Sequence, residues 1–391
     1  MQIRPMRPGD AEQAFALRVH AFSAATHVTY DADEIYIPDE HRLVAVDGDR
    51  VVGHLGAWPF HQAFLGHAVP MGGLGAVAVA HDQRGTGIGS RLLSAGLDHM
   101  ADAGMVISTL YPSTPVPYRR WGWEFAGEHV RRRVPTRALL EMPPPATQVR
   151  LRPYEPGDLT ALATLQDEVA VGEPGGLLGG HRWLARALQV DPDDPELAVV
   201  AVRDDRPTGL LLAAKTPPDG GIYGLHVLRL FGVDRDVERA LLRSVGHHHT
   251  VAGTTVLRSR PADPLLFELD SLTHPDTGSE HFMTRLVDAP RAIAARGWPP
   301  ASVTVELEIT DDRRPANDGR FVLEVHERAA ALTRGGAGRA ALDVRALASL
   351  YTGFTTADGL VRAGRLRAAA EDVAALNKAF MAPAPFMRDT Y

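Results

Sequence analysis

At 391 residues the chain is too long for one compact domain, and two or three are expected. Its composition, 45% hydrophobic and 23% charged, is that of a globular protein and excludes collagen, coiled coil and bulk disorder. Acidic residues outnumber basic ones 48 to 41, for a net charge of −7, and no basic stripe is present, so no nucleic-acid partner is expected. The absence of cysteine excludes thiol nucleophiles, disulfides and Cys-ligated metals. The start, Met-Gln-Ile-Arg-Pro, carries no signal-peptide pattern, and no run approaches the roughly 18 apolar residues of a membrane helix. A cytoplasmic location and no membrane partner are therefore expected.

In chain order, the octet Ile3-Arg4-Pro5-Met6-Arg7-Pro8-Gly9-Asp10 comes first. It predicts a short strand, a Pro-Gly turn and an Asp capping the following helix. Arg42 to Val46 and Val51 to Ala57 flank Asp47-Gly48-Asp49 as a hairpin. Gly73 to Ala80 reads as a buried strand, Ser90 to Gly104 as a helix, and Val106 to Leu110 as a strand. Met142-Pro143-Pro144-Pro145-Ala146-Thr147 reads as a stiff linker. The octet then returns as Leu151-Arg152-Pro153-Tyr154-Glu155-Pro156-Gly157-Asp158, again before a helical pattern, so two copies of one fold are expected. A second hairpin is read at Leu197 to Val202 and Gly209 to Ala213, around Asp204-Asp205-Arg206. The last hundred residues alternate as strands at Val303, Val305, Leu307 and Ile309 and at Phe321, Leu323 and Val325. Helices are expected next, at Leu342, Leu347 and Leu350, at Leu360 and Leu366, and at Val373 and Leu376. The chain closes in an extended tail from Ala382 to Tyr391.

The sharpest local signal is Val77-Ala78-Val79-Ala80-His81-Asp82-Gln83-Arg84-Gly85-Thr86-Gly87-Ile88-Gly89-Ser90. A strand enters a glycine-rich turn and then a helix, whose first N–H groups suit a pyrophosphate; Arg84 adds a charged donor. The glycine spacing is not the G-x-G-x-x-G of dinucleotide folds, and no lysine follows as in a P-loop. In the second copy the matching stretch is Phe231-Gly232-Val233-Asp234-Arg235-Asp236-Val237. Two glycines are gone there, and Asp234 and Asp236 would repel a pyrophosphate, so that copy is expected to be structural only.

Arg-Gly-x-Gly-x-Gly resembles the pyrophosphate loop of the GNAT superfamily of N-acetyltransferases, which bind acetyl-CoA. Tyr118-Arg119-Arg120-Trp121-Gly122-Trp123 resembles a segment of the Eis (enhanced intracellular survival) N-acetyltransferases, and so do Ala289 to Trp298, Asp318 to Phe321, Leu350-Tyr351-x-Gly353 and the closing tail. The resemblance implies a mixed α+β chain. An active GNAT domain would span 1–142, a degenerate GNAT-like domain 148–288 and a sterol-carrier-protein-like domain 289–391. It implies acetyl-CoA as co-substrate, a primary amine as acceptor, no metal, and a homo-oligomer, commonly a hexamer. The amine would be a small polyamine, an aminoglycoside-like molecule or a lysine side chain.

By the same resemblance the cofactor is held by Val77, Ala78 and Val79, by Arg84, Gly85, Thr86, Gly87, Ile88, Gly89 and Ser90, and by Ser113 and Thr114. Val77 and Val79 would act through backbone. Tyr118 would donate a proton to the departing thiolate, and the terminal carboxylate of Tyr391 would accept one from the amine. Members that acetylate aminoglycosides have an acid where this chain has Ala24, after Phe22-Ser23, and another where it has Thr390. Asp31, Asp33, Glu34 and Tyr36 offer either another acidic rim or a solvated loop. His54 and Glu124 are the reserve bases. His247-His248-His249 is not read as a metal site, and Arg131-Arg132-Arg133 reads as a solvated strand edge. The rival reading is a non-catalytic sensor or scaffold, in which the sterol-carrier-like domain holds a lipid and the GNAT domain senses CoA.

Overall fold

A computed structural model describes residues 1–22, 37–179, 181–188, 197–218, 220–269 and 276–389. The first elements are β1 (Gln2–Pro5), α1 (Ala11–Phe22), β2 (Arg42–Asp47), β3 (Arg50–Phe64), β4 (His67–Val79), α2 (Ile88–Asp102), β5 (Ile107–Leu110), α3 (Pro115–Arg119) and β6 (Glu124–Pro135). The middle of the chain adds β7 (Arg150–Pro153), α4 (Leu159–Val171), β8 (Leu177–Leu178), α5 (His181–Ala187), β9 (Leu197–Arg203), β10 (Arg206–Thr216), β11 (Tyr223–Gly232), α6 (Arg235–Gly246), β12 (Ala252–Ser259) and β13 (Asp276–Leu286). The last part holds α7 (Ala289–Ala295), β14 (Val303–Thr310), β15 (Gly319–His326), β16 (Ala329–Arg334), β17 (Ala340–Asp343), α8 (Val344–Thr352), α9 (Ala357–Arg362), β18 (Leu366–Arg367) and α10 (Ala370–Ala379).

Two compact units result, and they are not consecutive blocks of sequence. The first takes residues 1–127 and 281–385; the second takes 128–280 and 386–389. These units group the chain by packing and are a different division from the sequence domains expected at 1–142, 148–288 and 289–391. The reason is strand pairing. Residues 130–135 of β6 pair with β12, and β13 pairs with β5 over Met283↔Leu110 to Leu286↔Ile107.

The first unit contains a sheet in the order β1-β2-β3-β4-β5-β13 and a five-stranded sheet, β16-β15-β14-β17-β18. In the former, α2 buries Leu92, Leu93, Leu97 and Met100 against Leu55, Trp123 and Met283. Gly53 lets the helix approach β3, since a Cβ there would lie 2.8 Å from Leu92 Cδ1. The β2–β3 hairpin and its turn at Gly48 match expectation, although β3 runs on to Phe64. Leu342 and Leu366, expected in helices, are strand residues instead. They pair with each other, and Leu342 also pairs with Ile309 of β14, so a partner strand overrides the helical spacing.

The second unit contains the order β6-β12-β11-β10-β9-β7. Asp204 and Asp205 turn the β9–β10 hairpin with φ of +48° and +57°, as a two-residue turn matched to strand twist requires. The run Arg131–Arg133 is not a solvated edge. It lies in β6 beside β12, and Arg132 is buried, donating to Ser259 Oγ at 2.7 Å and to the Pro261 carbonyl at 2.8 Å.

The repeated octet has the same physics in both copies. Arg4 forks onto Asp10 at 2.6 and 2.9 Å, and Arg152 forks onto Asp158 at 2.6 and 2.6 Å. Each aspartate also accepts the backbone N–H three residues before it, from Arg7 or Glu155. Asp10 and Asp158 thus close the turn ahead of the helix and are not its side-chain caps.

Candidate active site

The site is built on β4. Its parallel register with β5 runs from Met71↔Ile107 and ends at Gly73↔Thr109. Its antiparallel register with β3 continues to Gly53↔Val79 but slips between His54 and Gly56. Ala76 lies in that slip with φ +51°, a left-handed conformation that costs a non-glycine residue about 1 kcal/mol. The bulge is pinned by His54, whose Nδ1 donates to the Ala76 carbonyl at 2.9 Å. Burial pushes the His54 imidazole down to about 4, so the ring is neutral near pH 7.

Beyond the bulge the ladder alternates. The Ala80 N–H donates to the Val52 carbonyl, so Ala78 also faces β3. The N–H and C=O groups of Val77 and Val79 then turn toward the side that β5 has left. Among the described residues no strand pairs with this edge, and an extended amide-bearing arm could continue the ladder along it.

The strand delivers the glycine loop. Gly85 and Gly87 have φ of +80° and +88°, which only glycine adopts without strain, and space around both is open. Gly87 stands at the N-cap position of α2, where no side chain caps the helix and the first turn carries no acid. Four N–H groups at a helix start lack intrahelical partners, so this end is a ready site for an anion. Ile88 is buried and fixes the helix start, whereas Arg84, Thr86 and Ser90 are exposed. The nearby negative charge of Asp82 is matched by Arg50 through two 2.7 Å contacts that hold its carboxyl well below the usual range. The Thr86 hydroxyl donates to the Gln83 carbonyl at 2.7 Å and stiffens the loop. A diphosphate therefore fits this cradle electrostatically and sterically.

β5 ends where it parts from β4, and the segment that leaves it carries Ser113, Thr114 and Tyr118. Ser113 and Thr114 are exposed, and Thr114 precedes α3 without capping it through its side chain. Tyr118 sits at the end of α3, half-buried, and burial raises its phenol. Its carbonyl accepts the N–H groups of Trp121 and Trp123 at 2.9 and 3.2 Å, and its ring meets Trp123 edge-on at 6.4 Å.

Residues far along the sequence brace this turn. Buried Arg285 donates from Nε to the Trp121 carbonyl at 3.0 Å and forks onto Asp311 at 2.8 and 2.6 Å. Gly122, with φ +90°, must be glycine here, because a Cβ would lie 2.5 Å from Arg285 Nε. Asn317 bonds Asp311 at 3.0 Å, and the Arg313 guanidinium lies 4.5 Å from the Trp121 ring centre. No local signal marked Arg285, Asp311 or Ala76; each matters only through a distant partner.

The reserve bases have other duties. His54 holds the bulge. Glu124 is clamped by Arg119 at 2.8 Å and by Arg345 at 3.0 Å, which keep its carboxyl below the usual range against the opposing effect of burial. Ser23, Ala24, Asp31, Asp33, Glu34, Tyr36, Thr390 and Tyr391 lie outside the described residues. The histidine run forms a turn after α6 in which His248 meets Tyr223 and His249 meets the Gly246 carbonyl. Among the described residues, no group of three or more metal-ligating side chains occurs, and no helix is long and apolar enough to cross a membrane.

Residues 2–126 match the acetyltransferase (GNAT) domain family, and residues 289–388 match the sterol carrier protein domain family. No curated protein matches the chain. Among solved structures, a GCN5-related N-acetyltransferase from Anabaena variabilis ATCC 29413 superposes with a TM-score of 0.92 at 24% identity, covering 100% of both chains. One from Kribbella flavida gives 0.83 at 29% identity, over 100% of this chain and 98% of the other. Eis1 from Mycobacterium abscessus gives 0.84 at 22% identity over 100% of both. The resemblance read from the sequence is thus met by two domain families and by a shared whole-chain fold.

Proposed function

We propose that this chain, which joins a GNAT acetyltransferase domain to a sterol carrier protein domain, transfers the acetyl group of acetyl-CoA to a primary amine. The acceptor would be a small polyamine, an aminoglycoside-like molecule or a lysine side chain. The observation that carries this reading is the end of the β4–β5 register at Gly73, followed by an uncapped, acid-free helix start at Gly87.

Acetyl-CoA supplies an acetyl group already activated as a thioester. Val77 and Val79 offer backbone partners to its arm, Ala78 keeps the strand on β3, and Arg84 to Ser90 receive its diphosphate. Ser113 and Thr114 stand on the segment leaving β5. Tyr118 holds a proton at its hydroxyl and gives it to the departing sulfur. Burial raises the phenol, so that proton is retained at neutral pH. The carboxylate of Tyr391 accepts the proton that the amine must lose. A carboxylate in a desolvated setting is a stronger base than its ordinary value suggests. The 1–142, 148–288 and 289–391 segments would each keep one role: cofactor and chemistry, scaffold, and delivery of the terminus. A homo-oligomer and a cytoplasmic location belong to the same proposal.

Two variants test it against a panel of polyamines, lysine peptides and aminoglycosides. Tyr118→Phe should lower turnover roughly a hundredfold with acetyl-CoA affinity unchanged; a loss under twofold removes Tyr118 as the acid. A chain extended by a few residues past Tyr391 should bind acetyl-CoA yet fail to turn over. Normal turnover by that chain removes the terminal base.

A further inference from the structure

The second unit contains a cleft made by the same strand geometry. The β10–β11 register slips between Leu212 and Ala213, leaving Leu228 as the bulged residue. The parallel β11–β12 register ends at Val227↔Leu257. The Val233 N–H donates to the Thr208 carbonyl, so by alternation the Leu230 carbonyl turns away from β10, toward the side β12 has left. Leu230 directly follows Arg229, whose pair with Leu212 closes the slip, as Val79 directly follows Ala78, whose pair with His54 closes the slip in the first unit.

This cleft is filled by the chain's own tail. Phe386 is buried, its N–H donates to the Pro174 carbonyl at 2.7 Å, and its backbone passes Gly175 so closely that a Cβ there would lie 2.8 Å from the Phe386 oxygen. Arg388 donates through Nη1 to the Leu230 carbonyl, the position an arm bound as in the first unit would occupy. Its Nε meets Glu173 at 3.0 Å, and its Nη2 reaches Glu173 and, at 3.5 Å, Glu238 of α6. The Arg388 carbonyl accepts from Arg258 at 3.3 Å, and Asp389 pairs with buried Arg229. A cavity of about 60 Å³ between β11, α6 and the end of β12 has Phe386 and Arg388 in its wall. Asp234 meanwhile caps α6 by accepting the Val237 N–H at 3.0 Å, so the anion site of this copy is filled by its own carboxylate.

We propose that the β11–β12 cleft is a binding site for the C-terminal tail, and that Arg388 is the positioning residue that sets the terminal carboxylate. The degenerate copy is then more than a scaffold, because it binds a peptide where its counterpart binds an acyl carrier. The positioning half rests on the terminal-carboxylate reading given above; the binding half does not.

Full-length wild type, Arg388→Met, Arg388→Lys and the chain extended past Tyr391 test it. Release of Tyr391 by a carboxypeptidase is followed by mass spectrometry, beside turnover and acetyl-CoA affinity. Arg388→Met should release Tyr391 at least tenfold faster and lose turnover at least tenfold, with acetyl-CoA affinity within twofold. Arg388→Lys, which keeps the charge without the fork, should fall between and serves if the methionine variant does not fold. Release within twofold of wild type in a folded variant overturns the docking site. Faster release with unchanged turnover overturns the positioning role. If the extended chain turns over normally, the base reading has failed, and the release rate alone then judges the docking site.

Discussion

In both units a hairpin strand slips by one residue and then parts from its parallel neighbour: β4 around Ala76, and β11 at Leu228. The units diverge in the segment after that strand. In the first unit a loop from Ala80 to Gly87, with two left-handed glycines, leads to a helix start with no capping side chain and no acid. In the second, Gly232 is followed almost at once by Asp234, which caps α6, with Asp236 and Glu238 in its first turn. Those carboxylates already occupy the favourable end of the helix dipole and would repel a phosphate. The bulge and the splay therefore do not depend on what the helix start carries, because both are matters of strand register. The two units differ in the few atoms at the helix start.

Moving the second unit's chemistry into the first is the strongest way to sharpen this contrast. Gly87→Asp places a carboxylate at the start of α2. Acetyl-CoA affinity should fall by about a hundredfold or more, from lost N–H donors and charge repulsion, at the scale of hydrogen bonds to charged groups. Calorimetry on the folded variant measures this, and near-normal affinity would show that the helix start does not hold the diphosphate.

The bulge offers a test through pH. Unfolded, His54 titrates near 6.5; folded, burial lowers it to about 4. Between these values the unfolded chain binds the extra proton, so the contribution of the neutral ring is complete above about pH 6.5 and is lost as pH falls toward 4. Buried His129 shows the same depression, so wild type must be compared with His54→Asn. Their stability gap should narrow by roughly 3 kcal/mol from pH 7 to pH 4, a depression of about two and a half units at 1.4 kcal/mol each. A gap that stays constant in denaturant melts at the two pH values contradicts the assignment of His54 as a neutral strut.

The smallest effect is expected in the second unit. Asp234→Ala removes the α6 cap and the ion pair with Arg203, and should cost about 1 kcal/mol of stability without altering acetyl-CoA affinity. A change in affinity would mean that the second helix start takes part in cofactor binding.

The sequence makes the cradle and its decayed counterpart legible because both are local: glycines and acids a few residues apart decide φ and charge. It does not disclose Ala76, an alanine in a glycine-like conformation, because the cause is a hydrogen bond from His54 on the neighbouring strand. The Tyr118 motif is visible, but its brace, Arg285 with Asp311 and Asn317, comes from segments more than 160 residues away. Leu342 and Leu366 look helical by spacing and become strands because each finds the other. The unit boundaries are hidden for the same reason, since exchange of β6 and β13 leaves no mark on composition. In each case the missing information is a partner.

Titration of acetyl-CoA into the folded full-length protein, with stoichiometry resolved by calorimetry, bears most directly on the contrast between the two clefts. One molecule bound per chain, lost in Gly87→Asp and kept in Asp234→Ala, is the predicted result. No binding, or two molecules per chain, would contradict it.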